Sequence, residues 1–458
     1  MDSTVPIPST TPTASSLRVD ELRRLIAYLR RGQSCLIVGP SNSGKSRLLR
    51  TLLRDEARVQ LAPPEAPPVI PVFVDCLMAT ESEAAFYELL LRQILGGLDQ
   101  VGLPHSTFNA VKSMHAEILR GANPSVAQAL FVDSLRILMA ETNLRLVIIL
   151  DELDDALCAL PPWPFRTLRA LRDEFCGRLC YVAGVSRRLE RIRTDALLYE
   201  FREIFYSQTI LLKPLSAEDC QICFDDVVAN QRLTNVEPYR SLVIALAGGH
   251  PGLIKRVLLA LIDLPAVPES GDPALAQRLL SAWPIQQECQ RLWDELEIEE
   301  QDALLAYANG GANTLDAAQR QALEDKGLLA FDAASRLGIF SLLFETFIQR
   351  RLNRMRQGSN KGVHCDFETG KIWANGKDIT LELSDQQRKL LRFLYQRAGS
   401  VCTYQEIIDA VWGVAAGVLP SAIYELVKRA RQKVEADVNQ PEYLVTVRGE
   451  GYILQIPE

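Results

Sequence analysis

The chain reads as an α/β protein built on a parallel sheet, followed by a smaller α+β unit. Three observations carry that reading. Apolar runs of four to seven residues alternate with helix-like stretches as far as about residue 215, the pattern of strands joined by helical crossovers. The segment Gly39-Pro40-Ser41-Asn42-Ser43-Gly44-Lys45-Ser46 falls between one such run, Ser34–Val38, and a helix-like stretch, Arg47–Leu53. Beyond residue 362, helical and alternating stretches follow closely and end in a hairpin pattern.

Composition sets the outer limits. A chain of 458 residues holds two to four domains, and its 48% hydrophobic content fills real cores. The net charge of −7 excludes a global basic field, so any contact with DNA has to come from a local patch. No apolar run reaches the ~18 residues of a membrane span, and the N-terminus lacks a basic-then-apolar leader. A cytoplasmic protein with no membrane partner is expected. Ten scattered cysteines fit a reducing compartment. Cys220 and Cys223 have C-x-x-C spacing but no second pair or nearby histidine, and three apart on a helix they face one way. Core packing is expected of them rather than zinc or redox chemistry.

In order along the chain, residues 1–16 are rich in Ser, Thr and Pro and are expected to be disordered. Val19–Leu29 places Val19, Leu22, Leu25, Ile26 and Leu29 on one helix face. The Gly39–Ser46 segment is then G-x-x-x-x-G-K-S between a strand and a helix, the context of a phosphate-binding loop. Gly39, Asn42, Ser43, Gly44, Lys45, Ser46 and Arg47 are the candidate nucleotide-binding residues. Backbone N–H groups from about Asn42 to Ser46 form an anion nest at a helix start. Lys45 reaches the β- and γ-phosphates, and the Ser46 hydroxyl ligates Mg²⁺.

A second strand is expected over Val69–Val74, with helices over 82–100 and 107–142. Leu146–Leu150 is apolar enough to be buried on both faces and ends in Asp151-Glu152. Asp151 is the candidate Mg²⁺ partner and Glu152 the group that polarises the attacking water. Leu179–Val185 is a fourth strand, expected beside the Asp151 strand and ending in Ser186-Arg187-Arg188, where a polar or basic residue could sense the γ-phosphate. A fifth strand, Thr209–Leu212, runs into Pro214-Leu215-Ser216, with Ser216 a helix cap. Two helices then lead to Ala247-Gly248-Gly249-His250-Pro251-Gly252.

Phosphate loop, apolar strand with Asp-Glu, strand with Ser-Arg, Pro-Leu-Ser and Gly-Gly-His-Pro occur in an order that resembles STAND-type and origin-recognition-like AAA ATPases. An added strand on the way to the Asp-Glu strand resembles the catalytic-glutamate division of P-loop proteins. The resemblance covers about residues 17–355. It implies an ATP/ADP site with Mg²⁺, adenine contact at Gly249, His250 and Pro251, and a helical lid and winged helix after the α/β core. It also implies an arginine from a neighbouring subunit, which no motif locates; Arg187 and Arg188 are the chain's own candidates. The expected domains are an α/β core at 17–215, lid and connector at 216–285, first winged helix at 286–350, basic linker at 351–361 and a C-terminal domain at 362–458.

In that last domain a hairpin is expected around Asn375-Gly376, helices from Ser384, from Val401 through Trp412 and over Ser421–Glu435, and a closing hairpin over Tyr443–Leu454. This succession, ending in Thr-Val-Arg-Gly-x-Gly-Tyr, resembles the OmpR/PhoB-type winged-helix DNA-binding domain. The resemblance places Tyr424, Lys428, Arg429 and Arg431 on the recognition helix and Arg448 in the wing. The sequence departs from the pattern at Leu419-Pro420-Ser421-Ala422, which brings no basic anchor, and at Glu425 and Glu450, which repel phosphate.

Together these features point to an ATP-binding signal-transduction ATPase that regulates transcription through its C-terminal domain. DNA, a protein partner supplying the signal and a nucleotide-dependent homo-oligomer are its expected partners. The alternatives are an assembly ATPase on DNA, such as a transposition or conflict-system adaptor, and an ADP-bound protein-binding scaffold.

Overall fold

The computed structural model describes residues 17–62, 67–79, 81–98, 104–193, 195–263, 274–331, 337–357, 362–365, 370–413, 420–438, 440–447 and 449–456. The expectations for residues 1–16, for 358–361 of the linker and for Arg448 lie outside these. The chain divides into two compact units between Thr346 and Phe347.

The first unit opens with α1 (Val19–Arg30), β1 (Cys35–Val38), α2 (Lys45–Thr51), α3 (Asp55–Leu61) and β2 (Val69–Asp75). Then come α4 (Glu83–Leu98), α5 (His105–Leu119), α6 (Pro124–Glu141), β3 (Arg145–Asp151), α7 (Leu153–Ala159) and α8 (Trp163–Glu174). The α/β layer closes with β4 (Leu179–Val185), α9 (Leu189–Ile192), α10 (Tyr199–Glu203) and β5 (Thr209–Leu211). The helical stretch expected over 107–142 is divided between α5 and α6. Gly121 at φ +99 breaks it, and Asn123 caps α6 by accepting the Val126 N–H, with Pro124 in the first turn.

All five strands are parallel, in the order β2-β3-β4-β1-β5. β4 therefore lies between the phosphate-loop strand and the Asp-Glu strand, whereas β2, the strand met on the way to the Asp-Glu strand in the chain, takes the sheet edge beyond β3. Strand positions alternate between two cores. Leu36, Val38, Val72, Ile148 and Leu150 join the helices of one face, and Cys35, Ile37, Val147, Ile149 and Val182 join α1 and α2 on the other. Both faces are covered, which is why β3 and β4 read as unbroken apolar runs. Register brings the carboxyl ends level, with Val38 opposite Val185 and Asp75 opposite Asp151. Open parallel sheets bind ligands at that edge.

Helices α11 (Ala217–Gln231), α12 (Arg240–Ala247), α13 (Pro251–Ile262) and α14 (Leu275–Leu280) follow. Next come α15 (Trp283–Asp294), α16 (Ile298–Gly310), α17 (Ala317–Asp325) and the antiparallel hairpin β6 (Leu329–Phe331)–β7 (Leu337–Ile339). The unit boundary falls inside α18 (Leu342–Gln357), so the linker expected from 351 begins as helix. No glycine or proline interrupts Leu342–Gln357, and its leucines, arginines and glutamines are good helix formers. Cys220 and Cys223 are buried on α11, and burial pushes both thiols up to about 11, as packing residues.

The second unit holds the sheet β8 (Val363–Cys365)–β9 (Ile372–Ala374)–β10 (Lys377–Asp378), with Asn375 and Gly376 in the left-handed turn. Helices α19 (Asp385–Gln396), α20 (Tyr404–Trp412) and α21 (Pro420–Val434) pack with β11 (Val401–Thr403), β12 (Leu444–Val447) and β13 (Gly451–Leu454). Ser384 with Gln387 and Thr403 with Glu406 form capping boxes that start α19 and α20. Among the described residues no helix is long and apolar enough to cross a membrane.

Candidate nucleotide site and nucleic-acid face

The loop leaving β1 turns through Asn42 at φ +58 and Gly44 at φ +95, the residue that caps α2. Lys45, the first residue of that helix, is buried, and its Nζ donates to the carbonyls of Gly39 (2.9 Å) and Pro40 (3.2 Å). Across the sheet edge, Asp151 ends β3 and is 3% exposed. Burial raises its pKa; a hydrogen bond from the Ser46 hydroxyl and the charge of Lys45 pull the other way. Asp151 Oδ1 has no hydrogen-bond partner. A buried carboxylate oxygen left over beside a hydroxyl is a donor set of the kind Mg²⁺ takes, so Ser46 and Asp151 fit the predicted metal.

Glu152 follows at φ +51 as the cap residue of α7, a left-handed conformation that costs a non-glycine residue about 1 kcal/mol or more. Its pKa is raised, chiefly by burial and further by Asp151, Asp154 and Asp155, with Lys45 opposing. A carboxylate displaced upward is a better proton acceptor than an ordinary surface glutamate.

The end of β4 is held by a residue the sequence reading did not single out. Asp154, in the first turn of α7, accepts the Ser186 N–H on both oxygens (3.0 Å each) and the Ser186 hydroxyl on Oδ1 (2.7 Å). Arg187 is half-buried and Arg188 exposed; neither is ion-paired among the described residues. A second unforeseen residue is Arg18. Its guanidinium is 3% exposed and donates to the carbonyls of Ser43 and Lys213 (2.9 Å each), pinning the phosphate loop from behind. Only its place just before an amphipathic helix could have hinted at this.

Two of the predicted residues have partners within the protein. Arg47 pairs with Asp226 of α11 at 2.5 Å. His250 caps α13: Nδ1 accepts the Leu253 N–H (3.3 Å), which leaves Nε2 to donate to the Ser41 carbonyl (3.2 Å). The ring is buried, and burial lowers its pKa to about 4. Pro251 occupies the first helical position behind it. Gly248 is required by close approach, because a Cβ there would lie 1.8 Å from the Phe340 carbonyl oxygen.

In the second unit α21 turns Ile423, Leu426, Val427 and Ala430 inward and leaves Tyr424, Lys428 and Arg429 exposed. Glu425 shares the exposed side. Arg431 differs from its expected role. Its Nε donates to Leu444 O (2.8 Å) and its Nη2 to Thr446 Oγ1 (2.7 Å), tying α21 to β12.

Comparison with known proteins agrees with both halves. Residues 16–181 match the model of the AAA ATPase domain, and residues 377–454 match that of the C-terminal domain of transcriptional regulatory proteins. Over 93 residues, 20% of this chain, the sequence is 41% identical to the sensory transduction protein RegX3 of Mycobacterium tuberculosis and 42% identical to that of Mycobacterium leprae. The matched stretch spans 40% and 46% of those proteins, less than half their length. Among solved structures, the Walker-type ATPase PABY2304 of Pyrococcus abyssi is 16% identical with a TM-score of 0.42, covering 72% of this chain and 95% of its own. The Aeropyrum pernix ORC2 protein is 16% identical with a TM-score of 0.40, covering 76% and 98%. The response regulator DrrB of Thermotoga maritima, an OmpR/PhoB homolog, is 29% identical with a TM-score of 0.18, covering 24% and 52%.

Proposed function

We propose that this chain, which joins an AAA ATPase domain to the C-terminal domain of transcriptional regulatory proteins, is a nucleotide-gated transcription regulator of the cytoplasm. The observation that carries the reading is the meeting of Lys45, Ser46, Asp151 and Glu152 at one edge of one sheet, in a chain that also displays Lys428 and Arg429 on an exposed helix face.

In this reading the backbone N–H groups from Asn42 to Ser46 and the Lys45 ammonium bind the phosphates of ATP or ADP. Ser46 and Asp151 hold Mg²⁺, which supplies neutralising charge to phosphate oxygens. Glu152 orients a water and takes its proton, helped by its raised pKa. Asp154 and Ser186 keep the β4 end in place beside it. Arg187 and Arg188 are candidates to stabilise charge developing on the γ-phosphate. His250 positions the loop through Ser41 and sets the course of α13.

Hydrolysis in this scheme resets a switch. The nucleotide state alters how the core packs on α13 to α15, and through a nucleotide-dependent homo-oligomer it sets how many C-terminal domains are presented together. Linked presentation raises avidity by about 10²- to 10⁴-fold without new contacts, which offsets the acidic Glu425 on a modestly basic helix. A protein partner supplies the signal. The test is titration of labelled ADP together with phosphate release from ATP. Wild type binds and turns over; Lys45→Ala binds about 10- to 100-fold more weakly; Glu152→Gln binds but does not turn over. Equal turnover in Glu152→Gln and wild type would refute the assignment.

A further inference from the structure

Helix α15 lays two carboxylates on the head of the phosphate loop. Glu288 is 1% exposed, and both of its oxygens accept from Asn42 Nδ2 (2.9 and 3.1 Å). Its Oε2 also accepts Arg256 Nε of α13 at 2.8 Å, and its Oε1 lies 3.9 Å from His250 Nδ1. About two turns later, at the residue that caps the end of α15, Glu295 Oε2 accepts the backbone N–H of Ser41 at 2.7 Å. Gly252 makes room for this arrangement, because a Cβ at that position would lie 2.2 Å from Glu288 Oε1.

These contacts fall on a particular part of the loop. Lys45, whose task is to reach the β- and γ-phosphates, is held at the carbonyls of Gly39 and Pro40. The next two residues, Ser41 and Asn42, are those that carry the carboxylates. The His250 ring lies within electrostatic reach of both Glu288 and Lys45. In the nucleotide-site reading a third phosphate brings further negative charge toward two carboxylates, the buried Glu288 and the half-buried Glu295, and like charges repel. A diphosphate ends one phosphate short of that conflict.

We propose that Glu288 and Glu295 set nucleotide specificity, making this arrangement of α15 selective for a nucleoside diphosphate over a triphosphate. Triphosphate binding then requires α15 to leave the loop, which couples the γ-phosphate to the helical segment that follows the lid. The proposal rests on the nucleotide-site reading above and adds to it the residues that distinguish the two ligands.

The experiment is competition of ADP and a non-hydrolysable ATP analogue against a fluorescent ADP, with Mg²⁺, on the full chain as wild type, Glu288→Gln, Glu295→Gln and Gly252→Ala. Thermal melts confirm that each variant is folded. The Glu295→Gln amide oxygen still accepts the Ser41 N–H, so that variant removes charge and little else. Gly252→Ala crowds Glu288 without removing its charge from the chain, and because its Cβ would also lie 2.9 Å from Asn42 Cβ its ratio is read beside that of Glu295→Gln. The expected result is at least a tenfold rise in the ATP-analogue-to-ADP affinity ratio in each folded variant, with ADP affinity within threefold of wild type. An unchanged ratio in folded Glu295→Gln and Gly252→Ala overturns the proposal while leaving the nucleotide site intact. Wild type that binds neither nucleotide overturns the nucleotide-site reading, and this proposal with it.

Discussion

Asp154→Ala removes a carboxylate that makes three contacts with one residue, two to the Ser186 N–H and one to its hydroxyl. Hydrogen bonds to a charged group are each worth about 1.5–3 kcal/mol. Both residues are half-buried, so solvent screening brings the total to about 2–4 kcal/mol. The loss reaches catalysis through geometry. Asp154 fastens the end of β4 to the first turn of α7, and the residue capping that turn is Glu152. Loosening the turn lets the candidate base drift, and a loss of about 1.4–2.7 kcal/mol in the transition state slows turnover roughly 10- to 100-fold. Asp154 also raises the pKa of Glu152. Neutralising it therefore moves the acidic limb of the pH–rate profile to lower pH, in Asp154→Asn as in Asp154→Ala. Single-turnover hydrolysis across pH, with a melt of each variant, measures all three effects. An Asp154→Ala protein with wild-type melt, rate and pH profile would refute the clamp.

Other residues yield further expectations. Lys45→Ala lowers affinity for ADP and ATP on the order of 10- to 100-fold, the worth of a charge-assisted phosphate contact, measured by equilibrium titration. In the C-terminal unit, Arg431→Ala destabilises the fold by about 1–2 kcal/mol in urea unfolding, because it removes two hydrogen bonds to β12. Lys428→Ala leaves stability alone and, if the exposed face of α21 binds DNA, lowers the salt slope of binding by about 1. His250 gives a pH dependence. Its pKa of about 4 lies below the ordinary 6.5, so the unfolded chain binds the proton more readily. Its contribution is whole above pH 6.5 and is lost as pH falls toward 4, by up to about 3 kcal/mol. Unfolding of His250→Asn at pH 7 and pH 4.5 should show that part of the acid sensitivity removed, since asparagine also caps helices.

Much of this was legible in the residues because the informative signals are local. The phosphate loop is one contiguous segment between a strand and a helix, and β3 is an apolar run that ends in Asp151, with Glu152 next in the chain. The Asn375-Gly376 turn and the Ser384 cap were readable for the same reason. The break between α5 and α6 was also written locally, in Gly121 and Asn123-Pro124, but apolar spacing on both sides disguised it. What stayed hidden depends on distant partners. No pattern around Glu288 says that a charged residue in α15 is buried against Asn42, 246 positions away. The resemblance to the OmpR/PhoB-type domain placed Arg431 with Lys428 on the recognition helix, yet could not show that β12 passes close enough to take its guanidinium. Arg18 is hidden in the same way, since its acceptors are carbonyls of Ser43 and Lys213 rather than any acid that charge pairing would suggest.

The central claim is that nucleotide state governs DNA binding. It is tested most directly by binding the full chain to random duplex DNA across a salt series, with ADP and with a non-hydrolysable ATP analogue, beside Lys45→Ala. The expected result is salt-steep binding that is stronger with the ATP analogue and loses its nucleotide dependence in Lys45→Ala. Binding that is absent at modest salt in every nucleotide state, or that is identical in all of them, would contradict it.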